Sequence, residues 1–323
     1  MRLLQVANVG DVVGGTAACA VAVTRALPDW SHRVAFRSPI TTPTRDALAP
    51  AAVRGTRRVT PETVRGADLV LLHNVPPAAV DRLDVPTLLM RHSATDHAAA
   101  DRAVCCSRWL RDRMRASEPV VWQAVPKVDA GRRSDQPLTI GRLCTPTARK
   151  WPPSLVDFTA ALAGRHPAVW WEWVGCPDAM QSSLDAACRG RATFHPAGPA
   201  ARGHLGRWDA LLYWHPTLTE SFGRVAAEAM RAGCVPIVSR SGGFIEQVAA
   251  GTGFLIDGVP EADAALGQLA DPAVRRRMSA AAERRGDRCW SHRAMRRRLL
   301  REFDRLPTSL DRHCVINSRS FAD

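Results

Sequence analysis

With 323 residues, 46% of them apolar and 23% charged, the chain has globular composition and enough length for one large domain or two of ordinary size. It is neither a disordered polymer nor a membrane-spanning chain, because no window approaches the roughly eighteen consecutive apolar residues of a span. A net charge of +13 admits a polyanion or an acidic lipid as partner. Lys127 and Lys150 are the only lysines, and arginine supplies the rest of the positive charge alongside abundant Ala, Gly and Pro. Such a bias reflects coding preference as readily as selection for a ligand. The dense clusters at Arg275-Arg276-Arg277 and Arg296-Arg297-Arg298 are diluted by nearby acids. The expectation is therefore no specific nucleic-acid partner, and at most weak, salt-screened contact with an anionic membrane. The nine cysteines form no CxxC and no zinc spacing. The N-terminus Met1–Val9 reads as a buried strand rather than a signal peptide, so the cysteines are expected as core residues in a reducing cytoplasm.

In chain order, short apolar runs predict strands at Leu3–Val9, Arg33–Phe36, Leu69–His73, Thr87–Met90, Ala103–Cys106 and Val120–Ala124. A second series follows at Leu138–Arg142, Val169–Val174, Ala192–Phe194, Ala210–Trp214, Val235–Ser239 and Gly253–Ile256. Helical patterns lie between them at Thr16–Arg25, Arg108–Arg115, Ser154–Ala163, Gln181–Ala187, Phe222–Ala232 and Phe244–Ala249. The alternation predicts parallel sheets with helices on both faces. The polar stretch Lys127–Gln136 separates two apolar strands and predicts the boundary between an N-terminal domain, residues 1–130, and a second domain, residues 137–290. Residues 291–323 are expected to form a helix and tail returning to the first domain, with the chain weakly ordered after Leu306. Open α/β sheets bind ligands at the carboxyl ends of their strands, so the strand ends are where chemistry is sought.

Gly14-Gly15-Thr16 follows the first strand and opens a helix. Glycine permits a sharp turn and close approach, and the amides at a helix start can hold an anion. The spacing is not GxGxxG, and a tight turn without a ligand is the plain alternative. His92 follows the strand Thr87–Met90 and can donate one hydrogen bond and accept another there. A structural histidine is its alternative, and His73 is a weaker candidate of the same kind. Arg142 also ends a strand, and Lys150 lies just beyond. A fork of donors and a mobile point charge suit a diphosphate, while a surface salt bridge is the alternative.

The richest segment runs from His215 to Met230. Glu220 falls in its loop or first turn and Glu228 eight residues on, about 12 Å along the axis if the helix runs throughout. The two carboxylates are too far apart to share a proton or a metal, but they can reach opposite parts of one elongated ligand. The amides near Ser221, Phe222 and Gly223 point toward an anion between them. Hydroxyls at both ends and phosphates in the middle describe a nucleotide sugar. Glu228 lies within the apolar run Ala226, Ala227, Ala229 and Met230, so it requires a partner if buried. Gly242-Gly243 follows the strand Val235–Ser239, opens another helix and is expected to add amides to the same site.

This combination resembles the retaining nucleotide-sugar glycosyltransferases of the GT-B fold, glycosyltransferase family 4. The resemblance rests on Glu220-Ser221-Phe222-Gly223-Arg224-Val225-Ala226-Ala227-Glu228, with Gly141-Arg142, Val174-Gly175, His215-Pro216 and Gly242-Gly243 in order around it. It is specific over residues 138–257 and weaker over residues 1–125, where Gly14-Gly15 and His92 carry it. It implies an α/β protein of two Rossmann-like domains facing across a cleft. It also implies transfer of a sugar from a nucleoside-diphosphate sugar to a small-molecule or lipid-linked hydroxyl acceptor, with retention and with neither cofactor nor metal. No Asp-x-Asp signature occurs. Arg142 and Lys150 would neutralise the diphosphate, Glu228 would hold the ribose, and Glu220 would approach the donor sugar. His92 would line the sugar or acceptor side, and Gly15 the diphosphate or sugar. The stretch Leu143–Arg149 is longer than usual in the family, so Arg149 could take the part given to Lys150. The alternatives are a sugar-nucleotide epimerase of the same fold and a noncatalytic polyanion-binding scaffold. An NAD-dependent enzyme would need a dinucleotide fingerprint that is missing.

Overall fold

The computed structural model describes residues 1–129, 131 and 137–307. It divides into two units, residues 1–124 with 292–323, and residues 125–291. Part of the expected linker, residues 130 and 132–136, and the tail from residue 308 on lie outside the described residues.

The first unit holds β1 (Arg2–Ala7), β2 (Ser31–Phe36), β3 (Ala52–Gly55), β4 (Leu69–His73), β5 (Thr87–Arg91) and β6 (Arg102–Cys105). They form one parallel sheet in the order β3-β2-β1-β4-β5-β6. Strand β4 is buried at every position, because helices cover both faces of a parallel sheet and leave no polar side. The helix Gly15–Ala26 is apolar almost all round and lies against the helix His292–Phe303, so both its faces are covered. That C-terminal helix is tied to the same unit by Arg296 on Asp29 and by Arg102 on Glu302 at 3.0 Å.

The second unit repeats the pattern with β7 (Thr139–Leu143), β8 (Trp170–Val174), β9 (Ala192–His195), β10 (Ala210–Tyr213), β11 (Val235–Ser239) and β12 (Phe254–Ile256). Its parallel order, β12-β11-β10-β7-β8-β9, is the same winding as the first sheet. Trp151, Trp171, Trp173 and Trp208 are fully buried in its core. In each sheet the winding reverses between the first and fourth strands, β1/β4 and β7/β10. The carboxyl ends there are where loops part and leave room for a ligand.

The structure departs from the expected elements in definable ways. Val120–Ala124 is not a sheet strand. It makes one bridge, Cys105 to Val120; Pro119 just before it has no N–H with which to extend the ladder backward, and beyond it the Ala124 amide turns to the Met295 sulfur at 3.3 Å. Strand β3 and the helices Thr42–Leu48, Pro61–Val64 and Val259–Ala270 were not foreseen. The helix expected from Phe222 begins at Arg224. Eight cysteines, 19, 105, 106, 144, 176, 188, 234 and 289, are free and buried. No helix among the described residues is long and apolar enough to cross a membrane.

Candidate active site

At the carboxyl ends of β7 and β10 in the second unit, the structure gathers Arg142, Lys150, Tyr213, His215 and Glu220. Glu220 accepts from Lys150 Nζ at 2.7 Å and from the Tyr213 hydroxyl at 2.7 Å, both at Oε1. No hydrogen bond reaches Oε2 among the described residues, so that oxygen is open to a ligand hydroxyl. Burial pushes the Glu220 carboxyl up, but Lys150 and Tyr213 together outweigh it, and the group sits below its ordinary value. Burial, with the Glu220 charge beside it, pushes the Tyr213 phenol far up, so Tyr213 acts as a donor and does not ionise. This is the chain's one tyrosine.

Arg142 departs from its expected place at the diphosphate. It is fully buried, stacked between the rings of Trp151 and Tyr213 at 5.2 and 4.7 Å. Its two terminal nitrogens donate to the Trp214 carbonyl at 3.0 Å and the Lys150 carbonyl at 2.7 Å. Arg142 thus braces the loop that carries Lys150 from beneath, and does not face solvent. His215 staples the same loop from the other side. Its Nδ1 accepts the amides of Thr217 and Leu218, which leaves Nε2 to donate to the Arg149 carbonyl at 3.0 Å. Arg149 itself points outward and is exposed.

Glu228 is 2% exposed on the helix Arg224–Arg231, and its partners are Arg202 Nε at 3.0 Å and Arg224 at 3.4 Å. Both bonds again go to Oε1. The partner that a buried Glu228 requires is therefore present. Arg224 stood in view one helical turn before it, whereas Arg202, on the 3₁₀ segment Pro199–Gly206, gave no sequence signal. Glu220 lies outside the helix. Gly223 caps the helix start with φ 77° and ψ 59°, a left-handed conformation open to glycine and costly for other residues. The two carboxylates thus sit on a loop and a helix rather than along one helix. The Gly242-Gly243 turn closes directly on this loop: the Gly243 amide donates to the Glu220 carbonyl at 2.9 Å, and a side chain at Gly242 would strike that carbonyl. The Gly243 amide is therefore spent on positioning Glu220 and not on a ligand. Ser221 and Phe222 complete the loop, with Phe222 buried.

In the first unit, Gly14 caps the helix Gly15–Ala26 in an extended conformation, and Gly15 is its first residue. His92 lies just past β5, and its hydrogen atoms can be assigned by following the chain of bonds. The Thr24 hydroxyl donates to the Ala20 carbonyl, so it accepts from Gln5 Nε2 at 2.9 Å. That turns Gln5 Oε1 to His73 Nε2 at 3.0 Å, which must donate. His73 Nδ1 then accepts from His92 Nε2 at 3.2 Å, and His92 Nδ1 accepts from the Gln123 amide at 3.0 Å. Both ring nitrogens of His92 are engaged by protein. Burial pushes the His73 imidazole down to about 3, consistent with its neutral place in this chain. Asn74, which the sequence reading missed, ties the neighbouring loop. At φ 58°, its Oδ1 accepts the amides of His92 and Ser93 at 2.9 and 3.2 Å and His97 Nε2 at 2.6 Å.

Among the described residues, two groups could in principle ligate a metal: Cys19, His73 and His92, and Glu172, His195 and His204, with ligand atoms within 4.8 Å in each group. In the first the two imidazoles bond one another, and in the second Glu172 accepts from Trp208 at 2.9 Å and lies 3.1 Å from His204 Nδ1.

Residues 205–285, which carry Glu220 and Glu228, match the family described as Glycosyl transferases group 1. HepE from Anabaena, solved in complex with UDP, is similar over 95% of this chain and 100% of its own, with a TM-score of 0.76 and 16% identity. The fold is GT-B. A second GT-B neighbour, sucrose-phosphate synthase from Thermosynechococcus elongatus, gives a TM-score of 0.71 at 15% identity over 94% of this chain and 99% of its own. Glycogen synthase of Bordetella bronchiseptica is 35% identical over 121 residues, 31% of this chain. The chain spans about a quarter of the length of that curated relative, 24%.

Proposed function

We propose that this chain is a retaining glycosyltransferase that moves a sugar from a nucleoside-diphosphate sugar to a hydroxyl acceptor. The carrying observation is that, among the described residues, each carboxylate of the Glu220–Glu228 pair has one oxygen held by hydrogen-bond donors that include a cation, and the other without a hydrogen bond. Oε2 of Glu228 would take the ribose hydroxyls, and Oε2 of Glu220 a hydroxyl of the donor sugar. Lys150, already 2.7 Å from Glu220, would turn to the diphosphate as charge develops on the leaving group, with exposed Arg149 reinforcing it. Arg142 serves indirectly, by fixing the Lys150 loop. His92 would serve the sugar or acceptor side through the loop that Asn74 holds, because its ring nitrogens are already committed. Gly14 and Gly15 would let a ligand approach the helix start.

Neither glutamate is placed as a nucleophile, so attack comes from the face the leaving group departs, and the leaving phosphate oxygen takes the acceptor proton. On this reading no metal is required. The similar structures in complex with UDP or UDP-glucose support such a donor. Proton NMR of the first-formed product tests the assignment. The donor's anomeric configuration should persist, and an inverted anomer rules out retention. Turnover that survives EDTA supports metal independence, and strict metal dependence refutes it. Donor consumption without transfer to any acceptor would favour the epimerase alternative.

A further inference from the structure

The first unit contains a pocket of about 790 Å³, within the size range of small-molecule sites, lined by Arg91, Thr95, Asp96, His97, Arg113 and Met114 among others. It opens beside the end of β5. Its lining includes two arginines and one aspartate. Arg91 is preset: one terminal nitrogen donates to His97 Nδ1 at 3.2 Å, the other pairs with Glu118 at 3.2 Å, and its Nε is buried without a partner. His97 is itself fixed, because its Nε2 donates to Asn74 Oδ1 and leaves Nδ1 as the acceptor for Arg91. Arg113, at the end of the helix Arg108–Arg113, is exposed and rests over the Trp109 ring at 5.6 Å. It has no ion pair or hydrogen bond among the described residues. The same Asn74 oxygen that orients His97 also holds the backbone of His92 and Ser93, so the pocket wall and the His92 loop form one hydrogen-bonded body.

We propose that this pocket anchors an anionic group, a phosphate or carboxylate, on the acceptor, with Arg91 as the fixed wall and Arg113 as the fork that closes on it. A guanidinium fork matches two oxygens of such a group, and an unpaired one on an aromatic shelf is held ready for it. Calling the ligand an acceptor rests on the proposed glycosyl transfer; the anion site itself does not. The anion can belong to a soluble phosphorylated or acidic molecule or to a lipid headgroup.

Calorimetry with glycerol 3-phosphate and glucuronate, with glycerol as neutral control, tests the pocket on the full chain with UDP present in excess. Sedimentation with phosphatidylcholine vesicles, with and without phosphatidic acid, tests the lipid source. Binding of the anions and not of glycerol is expected. Arg113→Ala should weaken it about tenfold or more and Arg113→Glu should abolish it, while Lys150→Ala should leave it in place. Exposed Arg113 can be replaced without disturbing the fold, and thermal denaturation of each variant verifies this. Preference for the soluble anions or for the acidic vesicles identifies the source. Absence of anion binding by the unsubstituted chain, or binding lost in Lys150→Ala but kept in Arg113→Glu, overturns the proposal. UDP titration of the same proteins separates the two readings. If UDP fails to bind while the anions bind, the donor assignment falls and the pocket stands; the reverse refutes the pocket alone.

Discussion

Two glycines named for the donor site make opposite demands, and substituting each by alanine separates structural need from ligand contact. At Gly223 the backbone is left-handed, and an added Cβ would lie 2.2 Å from Cε1 and 2.7 Å from Cδ1 of Phe244. Phe244 is 1% exposed and meets the Tyr213 ring edge-on at 5.3 Å, so it has little room to retreat. The left-handed conformation costs alanine about 1–2 kcal/mol, and overpacking adds about 1–3 kcal/mol. The sum, about 2–5 kcal/mol, corresponds to a fall in melting temperature of about 4–20 °C for a unit of this size. A shifted Phe244 also pushes on Tyr213 and thereby on Glu220, so UDP-sugar turnover should fall with stability. At Gly15 nothing lies within 4 Å of an added Cβ. Gly15→Ala at a helix start should leave the melting temperature unchanged or slightly raised, by up to about 1 kcal/mol of helix propensity. Any loss of turnover there then reports a ligand contact. Thermal and urea denaturation of both variants provide the measurement. A fall of less than about 2 °C for Gly223→Ala would refute the steric reasoning.

Arg142→Ala and Arg142→Lys should both destabilise the second unit by roughly 2–4 kcal/mol in urea titration, since lysine cannot reach two carbonyls in a fork. Lys150→Ala should cost less stability but weaken UDP binding tenfold or more by calorimetry, at about 1.5–3 kcal/mol for a charge-assisted contact. His73 binds protons more weakly folded than unfolded, so its contribution to stability is complete above about pH 6.5 and is lost as pH falls toward about 3. His73→Asn should flatten that part of the urea-denaturation profile, and an unchanged slope would contradict the neutral hydrogen-bond chain. Glu228→Gln should raise the donor dissociation constant, whereas Glu220→Gln should lower kcat more than it changes donor affinity, as steady-state kinetics and titration would show.

Most of the strands could be read from the chain because parallel strands covered on both faces need unbroken apolar runs, such as Leu69–His73 and Val235–Ser239. Strand β3 could not, because Ala-Val-Arg-Gly is a short, largely exposed edge. The helix Val259–Ala270 escaped notice because alanines and a mid-helix glycine blur its periodicity. At the site, Glu220 and Lys150 were visible as charged residues in loops beyond strand ends, and Glu228 as a charge inside an apolar helical run. Which of them meet was not, because pairing is decided by the sheet. Tyr213 reads as one more apolar residue in a strand, and Arg202 as one arginine among many. Asn74 has no local signature beyond its tolerance of positive φ. Arg142 was placed correctly at a strand end but given the wrong direction, because position along a strand does not say whether a side chain points into the core.

The buried cysteines turn the chain into its own reporter of opening. Burial pushes the thiols of Cys176 and Cys188 up to about 12 and that of Cys105 to about 11, so the nucleophilic thiolate is scarce as well as hidden. Alkylation at these positions requires the fold to open. Cys19, Cys105 and Cys106 belong to the first unit, and Cys144, Cys176, Cys188, Cys234 and Cys289 to the second. Peptide mass spectrometry after a timed alkylation pulse therefore reads, without any engineered label, which sheet opens first and whether a nucleotide slows one and not the other.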